Sequence, residues 1–329
     1  SANAQLKALR GKPEVLVACP GRLLDLIGRG AVRLSGVEVL VLDDLSTGSE
    51  ANLAEAMESG LVRLEVYDVR DPATTDLIAG ESPEVVLHLA AQADVQASID
   101  DPVHDAEVNV LGTVRVLEGA RLGGARKVVF AGSGGTLYGD PDPGRLPLTE
   151  DEPHAPVSPY GLSKMAAGCY LSAYGALHGL AGTSLALANV YGPRQEAHGE
   201  AGVVAIFTQA MLEGHQPQIF GDGNQERDFV FVDDVVDANM LAINKGNGGS
   251  FNIGTGEKTS INQIFEYLRS IIGYRWGPEH GPARHGDVYK ISLDSSKAIR
   301  DLGWTPKMEM AEGLSQTVEY FRNAGKAVR

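Results

Sequence analysis

Four short apolar runs recur at intervals along the first part of this chain: EVLVA (14–18), EVLVLDD (38–44), EVVLHLAA (84–91) and RKVVFAGS (126–133). Their aliphatic residues stand on consecutive positions rather than alternating with polar ones, so both faces of each strand must be buried. That is the habit of parallel sheets, whose crossover helices cover both faces. The stretches between the runs carry helical patterns, such as Val103–Leu122 with Val110, Val114 and Leu117 at helical spacing. Alternating strands and helices predict an α/β fold, a doubly wound parallel sheet of Rossmann-like form.

After about Ala186 the texture changes. ALANVYGPRQ, QPQIFGDGNQERDFVFVDD and FNIGTGEKTS combine short strands with loops, and GPARHGDVYKISLD precedes a last helical stretch. We expect a smaller α/β substrate domain interleaved with the first. The dinucleotide-binding domain would take residues 1–185 with 222–255, and the substrate domain 186–221 with 256–329. Ligands of open α/β sheets bind outside the carboxyl ends of the strands, the place that the second domain would cap.

Composition narrows the function. The 329 residues suit one large domain or two coupled ones. A net charge of −15 argues against nucleic acid as a general partner. No apolar run reaches the roughly 18 residues of a membrane span, so no membrane partner is expected. SANAQLKALRGK at the start has no apolar signal core. Cys19 and Cys169 form no C-x-x-C pair, which excludes a disulfide framework and a cysteine zinc site and fits a reducing cytoplasm. The eight histidines show no metal-ligand spacing, and no metal is expected.

The chemistry is legible in SPYGLSK (158–164), where Tyr160 and Lys164 share one face of a helix's first turn. A tyrosine with its ordinary pKa of ~10 is a poor base at neutral pH. A nearby ammonium favours the phenolate, so Tyr160 could accept a hydroxyl proton while hydride leaves the same carbon. Ser133, ending the strand in VVFAGSGGTLYGD, is placed to hold the reacting oxygen. A chance Tyr–Lys pair on a helix surface is the alternative, and the strand and Ser-Gly-Gly turn ahead of it weigh against that.

The matches extend well beyond this site: VLDDLSTG (41–48), YDVRD (67–71), LHLAAQADVQASIDDP (87–102), NVLGT (109–113), NVYGPRQ (189–195), GDGNQERDFVFVDDV (221–235), FNIGTG (251–256) and RHGDV (284–288). From about Glu38 to Val318 the chain resembles the extended short-chain dehydrogenase/reductases, nearest the UDP-glucose 4-epimerases. The resemblance implies NAD as cofactor and a UDP-sugar as substrate. Tyr160 would take the proton of the sugar 4-hydroxyl while hydride passes to NAD, and the 4-keto sugar would rotate and be reduced on its other face. Lys164 would tune Tyr160 and bind the nicotinamide ribose, with Ser133 on the reacting oxygen. Related 4,6-dehydratases carry Thr-Asp-Glu where this chain has Ser133, Gly134 and Gly135, so dehydration is set aside. Gly132 stands where many relatives have a second serine.

The same resemblance assigns the ligand contacts. Asp43, ending the second strand, would accept bonds from the adenosine ribose and repel a 2′-phosphate, selecting NAD. Asp44, Leu45 and Ser46 would lie beside it, and Asp68 and Val69 would meet the adenine edge. A helix N-cap is an equal reading of Asp68. Leu89, Ala90, Ala91 and Gln92 would line the pyrophosphate and nicotinamide ribose, with Asn109 fixing nearby backbone. On the substrate side, Asn189 would contact the phosphate, and Arg227 and Arg284 would neutralise the diphosphate. Asp287 would take the uridine ribose and Phe220 would pack on uracil, with Val203 and Gln218 in the same site. Ile291 falls where the family gates the sugar's 2-substituent. Relatives pair through the helices matching 103–122 and 159–178, which implies a homodimer.

One segment departs from this pattern. Where a glycine-rich turn should follow the first strand, the chain reads VLVACPGRLLDLIGRG. Counting back from Asp43 puts Cys19, Pro20, Gly21, Arg22, Leu23, Leu24 and Asp25 on the turn, and none of the three required glycines survives. Pro20 removes an N–H donor and Asp25 adds charge near the phosphates, while Arg22 compensates in part. Residues 11–43 instead resemble the DEAD-box RNA helicase stretch that begins at its V-A-T-P-G-R-L motif, with Cys19 for the threonine. No G-K-[ST] phosphate loop occurs, which excludes helicase activity. We expect a chimera, and three readings follow. They are an NAD-dependent UDP-hexose 4-epimerase, a folded relative with impaired NAD binding and little activity, and, remotely, an RNA-binding module. The acidic charge argues against the last.

Overall fold

The structure, a computed structural model, describes residues 15–18, 38–196, 202–284 and 286–327. Seven parallel strands form the main sheet. They are β1 (Val15–Ala18), β2 (Val39–Asp43), β3 (Val62–Val66), β4 (Val85–His88), β5 (Lys127–Ser133), β6 (Ala181–Leu187) and β11 (Gly249–Ile253), in spatial order β11-β6-β5-β4-β1-β2-β3. β1 pairs with β2 on one side (Val15 opposite Val39) and with β4 on the other (Val15 opposite Val85). The order therefore reverses at β1, and a crevice for ligands opens there at the carboxyl ends.

The four apolar runs are all strands of this sheet. Every residue of β2 and of β4 is buried, as two covered faces require. β3, β6 and β11 are strands that the apolar pattern did not single out. β3 is an edge strand that carries Arg63 and Glu65, and Arg63 pairs with Glu81. β6 is built on small and polar residues, AGTSLAL, and takes its place from its register with β5 rather than from its own hydrophobicity.

Helix α1 (Thr74–Glu81) packs on α2, which runs from Pro102–Ala106 through a π-turn at Glu107–Leu111 into Gly112–Gly123. The extra residue of the π-turn rotates the face turned inward. Asn109, Gly112, Thr113, Val116, Leu117 and Ala120 are buried, whereas Val110 and Val114, expected on the core stripe, are half-buried. Gly119 permits the contact with α1, since a Cβ there would lie 2.8 Å from Ile78 Cβ. α3 (Pro159–His178) starts with Pro159 at its first position and Ser158 as its cap, whose hydroxyl accepts from Gly161 N at 3.2 Å.

Beyond β6, the short strand β7 (Asn189–Tyr191) pairs with β10 (Phe229–Phe231), β8 (Gln218–Phe220) with β13 (Glu279–Gly281), and β9 (Glu226–Arg227) with β12 (Thr259–Ser260). The helices α4 (Val203–Glu213), α5 (Val232–Ala242), α6 (Ile261–Ile272) and α7 (Met310–Ala327) follow. Phe207, Met211, Ile264, Phe265, Leu268, Leu314 and Val318 make a core there, separate from the two that flank the sheet. Asp228 joins the parts. Its buried carboxylate accepts from Thr255 N (2.8 Å), Thr255 Oγ1 (2.8 Å), Gly256 N (2.9 Å) and Leu293 N (3.1 Å). Among the described residues, no helix is long and apolar enough to cross a membrane, and no His/Cys/Asp/Glu group could hold a metal ion.

Candidate active site

β5 and α3 deliver the three catalytic candidates to one place. Ser133 is the last residue of β5, and its Oγ accepts from Thr136 Oγ1 at 2.9 Å. Tyr160 is the second residue of α3, and its backbone N–H donates to Ser98 Oγ at 3.1 Å. Lys164, one turn on, is buried; its Nζ donates to Ala131 O at 2.9 Å and lies 5.9 Å from the Tyr160 ring centre and 5.0 Å from that of Phe130. Burial dominates the Tyr160 hydroxyl and pushes it up to about 12, a hydrogen bond with Ser133 opposes that, and the charge of Asp105 adds to it. The lysine was expected to lower this pKa, yet the net direction is upward, because loss of water around the phenolate outweighs the other influences.

Behind them lies His88, buried at the end of β4. Its Nε2 sits 2.8 Å from Thr113 Oγ1, and that hydroxyl donates to Asn109 O at 2.6 Å. Burial first, then the charge of Lys164, holds the imidazole down to about 3, so it is neutral at physiological pH.

Asp43 is buried at the carboxyl end of β2, beside the reversal point, and its Oδ1 accepts from Leu45 N at 2.7 Å. Leu45 adopts a left-handed φ of 57°, a sparsely populated region for a residue with a side chain. Asp44 accepts from Ser46 N at 3.0 Å and from Ser46 Oγ at 2.6 Å, making a local exposed turn. Gly48 packs closely on the Asp43 carboxylate, since a Cβ there would lie 3.1 Å from Asp43 Oδ2. Asp68 is not a helix cap. It grips Arg70 (Oδ2 to Nη2 2.7 Å, Oδ1 to the backbone N 2.7 Å), which holds its carboxyl below the usual range, while Ala73 caps α1. Val69 is buried against Gly112, where a Cβ would come within 2.9 Å of it.

Leu89, Ala90, Ala91 and Gln92 continue β4 over the sheet's end. Gln92 N donates to Asn109 Oδ1 (3.0 Å), and Asn109 Nδ2 returns a bond to Gln92 O (2.9 Å). Asp105 stands behind both and was missed in the sequence, where one acid inside a helical run reads as a solvent-facing residue. Its spacing of four from Asn109 was the available signal.

The substrate-side candidates gather on the second layer. The Arg284 guanidinium lies 3.9 Å from the centre of the Phe220 ring. Arg227 Nη1 donates to Glu226 O (3.0 Å) and Tyr289 O (3.2 Å), and burial lowers its pKa against the charges of Asp287 and Asp140. Asn189 opens β7, with its N–H on Asp228 O at 2.9 Å and its Oδ1 3.4 Å from where a Gly135 Cβ would stand. Ile291 is buried, with its N–H on Glu226 O. Val203 begins α4 and is half-buried; Gln218 and Asp287 are exposed. Gly134 admits no side chain, because a Cβ would meet Leu293 Cδ1 at 2.4 Å and Ala186 O at 2.9 Å. Gly132 is tight against β6, with Ser184 Oγ 3.2 Å from a Cβ position. The turn positions Cys19 to Asp25, and the helicase-like residues 11–14 and 19–37, lie outside the described residues.

A sheet reversed at β1, with a Ser–Tyr–Lys group at its carboxyl edge, defines a dinucleotide-dependent enzyme of the short-chain type. The NAD dependent epimerase/dehydratase family matches residues 29–254, and the chain belongs to that family. It is 48% identical over 289 residues to the UDP-glucose 4-epimerase of Mycolicibacterium smegmatis, spanning 88% of this chain and 92% of that one. Among solved structures, the UDP-glucose 4-epimerase of Thermotoga maritima with UDP-glucose superposes with a TM-score of 0.88 at 42% identity, covering 94% of this chain and 99% of that one. The Thermus thermophilus enzyme in complex with NAD gives 0.86 at 38%, with the same coverage.

The described residues fit the dinucleotide. Asp43, a carboxylate at the carboxyl end of β2 beside the reversal point, suits a ribose diol, and the Gln92–Asn109 pair and Lys164 suit the second ribose. The Ser133 hydroxyl favours the Tyr160 phenolate. Ser133→Ala should therefore raise the Tyr160 pKa further and slow the acid–base step by about ten- to a hundredfold at neutral pH. An ultraviolet tyrosinate titration, with Tyr160→Phe subtracted, checks the direction; a midpoint that falls or stays put would contradict it.

Proposed function

We propose that this chain is an NAD-dependent UDP-hexose 4-epimerase that interconverts UDP-glucose and UDP-galactose through a 4-keto sugar. The observation that carries this reading is Ser133 beside Tyr160 and Lys164 at the sheet's carboxyl edge, followed by Gly134 and Gly135 rather than an acid pair. Elimination of water needs acid and base groups of its own, and position 134 has no room for one. The two similar solved structures, one with UDP-glucose and one in complex with NAD, support the ligand pair.

Bound NAD supplies a hydride acceptor for the first half-reaction and a donor for the second. Tyr160 takes the 4-hydroxyl proton as hydride leaves C4 and returns it when hydride comes back. Ser133 hydrogen-bonds the reacting oxygen throughout, and Lys164 adds positive charge below the ring. Arg227 and Arg284 neutralise the diphosphate, Phe220 stacks on uracil, Asp287 takes the uridine ribose and Asn189 a phosphate oxygen. Asp43 holds the adenosine ribose, with Asp44, Leu45, Ser46, Asp68 and Val69 around the adenine end. Tyr160→Phe removes the base without opening a cavity. With NAD saturating, conversion of UDP-galactose should fall at least about a hundredfold with the fold intact; activity close to the parent's would refute the assignment.

We also infer that residues 11–43, whose sequence resembles a helicase segment, replace the family's own first-strand region. Two observations support it: the family match begins only at residue 29, and β1 runs parallel between β2 and β4. The family's glycines let backbone approach the pyrophosphate closely, the sequence here lacks them, and each 1.4 kcal/mol lost weakens binding about tenfold. Rebuilding the glycine turn over Cys19–Asp25 should raise NAD affinity and turnover together. Calorimetry that finds tight NAD binding in the unaltered chain would sink this inference.

A homodimer accompanies this reading. Val103, Leu111 and Leu122 on α2, and Leu162, Tyr170 and Leu177 on α3, are large apolar side chains left in solvent on adjacent helices. Pairing of these helices across a two-fold axis would cover them. Sedimentation should find twice the chain mass at micromolar concentration, and a lone monomer would overturn it.

A further inference from the structure

Asp105 is a carboxylate at 0% exposure inside α2, and the mechanism above gives it no work. Its Oδ1 accepts from Asn109 Nδ2 at 2.9 Å and from Gln92 Nε2 at 3.0 Å, and its Oδ2 accepts from Ser163 Oγ at 2.5 Å. All three donors are neutral. A buried carboxylate without a cation among its direct partners is costly, and it persists where several donors are fixed to receive it.

The donors come from three parts of the site. Gln92 belongs to the loop after β4, and its side chain also bridges to Asp94, donating to Asp94 O at 2.8 Å and accepting from Asp94 N. Asn109 is locked to the Gln92 backbone by the two bonds described. Ser163 lies on α3 between Tyr160 and Lys164, adjacent to the lysine. One carboxylate thus meets the loop over the sheet, the π-turn of α2 and the helix that carries the base.

We propose that Asp105 is a positioning residue for the reaction, fastening the Gln92–Asn109 loop to the helix that bears Tyr160 and Lys164. The proposal rests on the epimerase reading for its kinetic consequence, and on the geometry alone for its structural one. Among the described residues, Lys164 from its own helix and Asp105 from α2 bear on Tyr160, and the neutral His88 of β4 lies behind the lysine. Ser133 approaches from β5. Of these, Asp105 alone is an anion. A negative charge held near a phenol opposes its ionisation, so the same carboxylate that orders the site also keeps the Tyr160 proton in place until ligand charge compensates.

Two substitutions separate the roles. Asp105→Asn keeps the shape and an accepting oxygen but removes the charge. Asp105→Ala removes both. In the ligand-free protein, Asp105→Asn should lower the tyrosinate midpoint of Tyr160, isolated by subtracting the Tyr160→Phe background, by about one pH unit. In turnover, the acid limb of its pH–rate profile should move the same way. Asp105→Ala should reduce kcat and weaken NAD while leaving KM for UDP-galactose near the parent value, and Asp105→Asn should restore most of the NAD affinity. A Tyr160 midpoint unmoved in a folded Asp105→Asn variant, together with unchanged kcat, would overturn the proposal. If Asp105→Ala fails to fold, Asp105→Asn alone decides. Should the parent not turn over UDP-sugar, the epimerase reading fails, whereas the spectral titration still reports on Asp105.

Discussion

Both faces of the central sheet must be covered, and almost everything else follows from that. Strands as apolar as β2 and β4 cannot leave a face in water, so each parallel crossover must bring a helix back over one side. Among the described residues, α1, α2 and α3 cover one face of the sheet, while residues 50–58 and α5 cover the other. The carboxyl ends of all seven strands then point one way, and the loops leaving them meet over one crevice. Ser133, Asp43, His88 and the Leu89–Gln92 segment all stand at that edge for this reason.

The second constraint is how the smaller layer is fastened above the crevice. Asp228 binds the turn at Thr255–Gly256, which follows the last sheet strand, and the backbone at Leu293. Burial raises its pKa, and the bonds it accepts work against that. The carboxylate is thus kept by the backbone N–H groups around it, and those N–H groups have it as their acceptor. Its neighbours in sequence gain from this anchoring. Arg227 is held beside Tyr289, and Asn189 is fixed by the Asp228 carbonyl, so these two candidates share the attachment that Asp228 makes to the sheet.

The site is electrostatically divided. Near the sheet, Lys164 is enclosed with a neutral imidazole and a phenol that burial keeps protonated. On the outer layer, Arg227 and Arg284 offer positive charge in a chain whose net charge is −15. An anionic ligand is therefore drawn to local cations rather than to the molecule's overall field. Asp105 sits between the loop and the catalytic helix, where ordering the site and resisting ionisation of Tyr160 are done by one group.

The sequence by itself determined the fold class, the strands at the centre of the sheet and the catalytic helix. Consecutive aliphatic residues can be satisfied only by two-sided burial, and Ser158, Pro159 and the four-residue step from Tyr160 to Lys164 are local signals that a helix start must obey. Family motifs likewise marked Phe220 and Arg284, which stack, and Asn109 and Gln92, which exchange hydrogen bonds. Tertiary structure decided what depends on neighbours far away in the chain. β6 and β3 are strands because partners stand alongside them, and the π-turn of α2 turned Val110 and Val114 off the core stripe. Asp68 pairs with Arg70 instead of capping a helix. The direction of the Tyr160 pKa was set by how much water the packed layers exclude, a quantity that no spacing of residues encodes. Asp105 could be seen as a junction only once three donors from separate segments had converged on it.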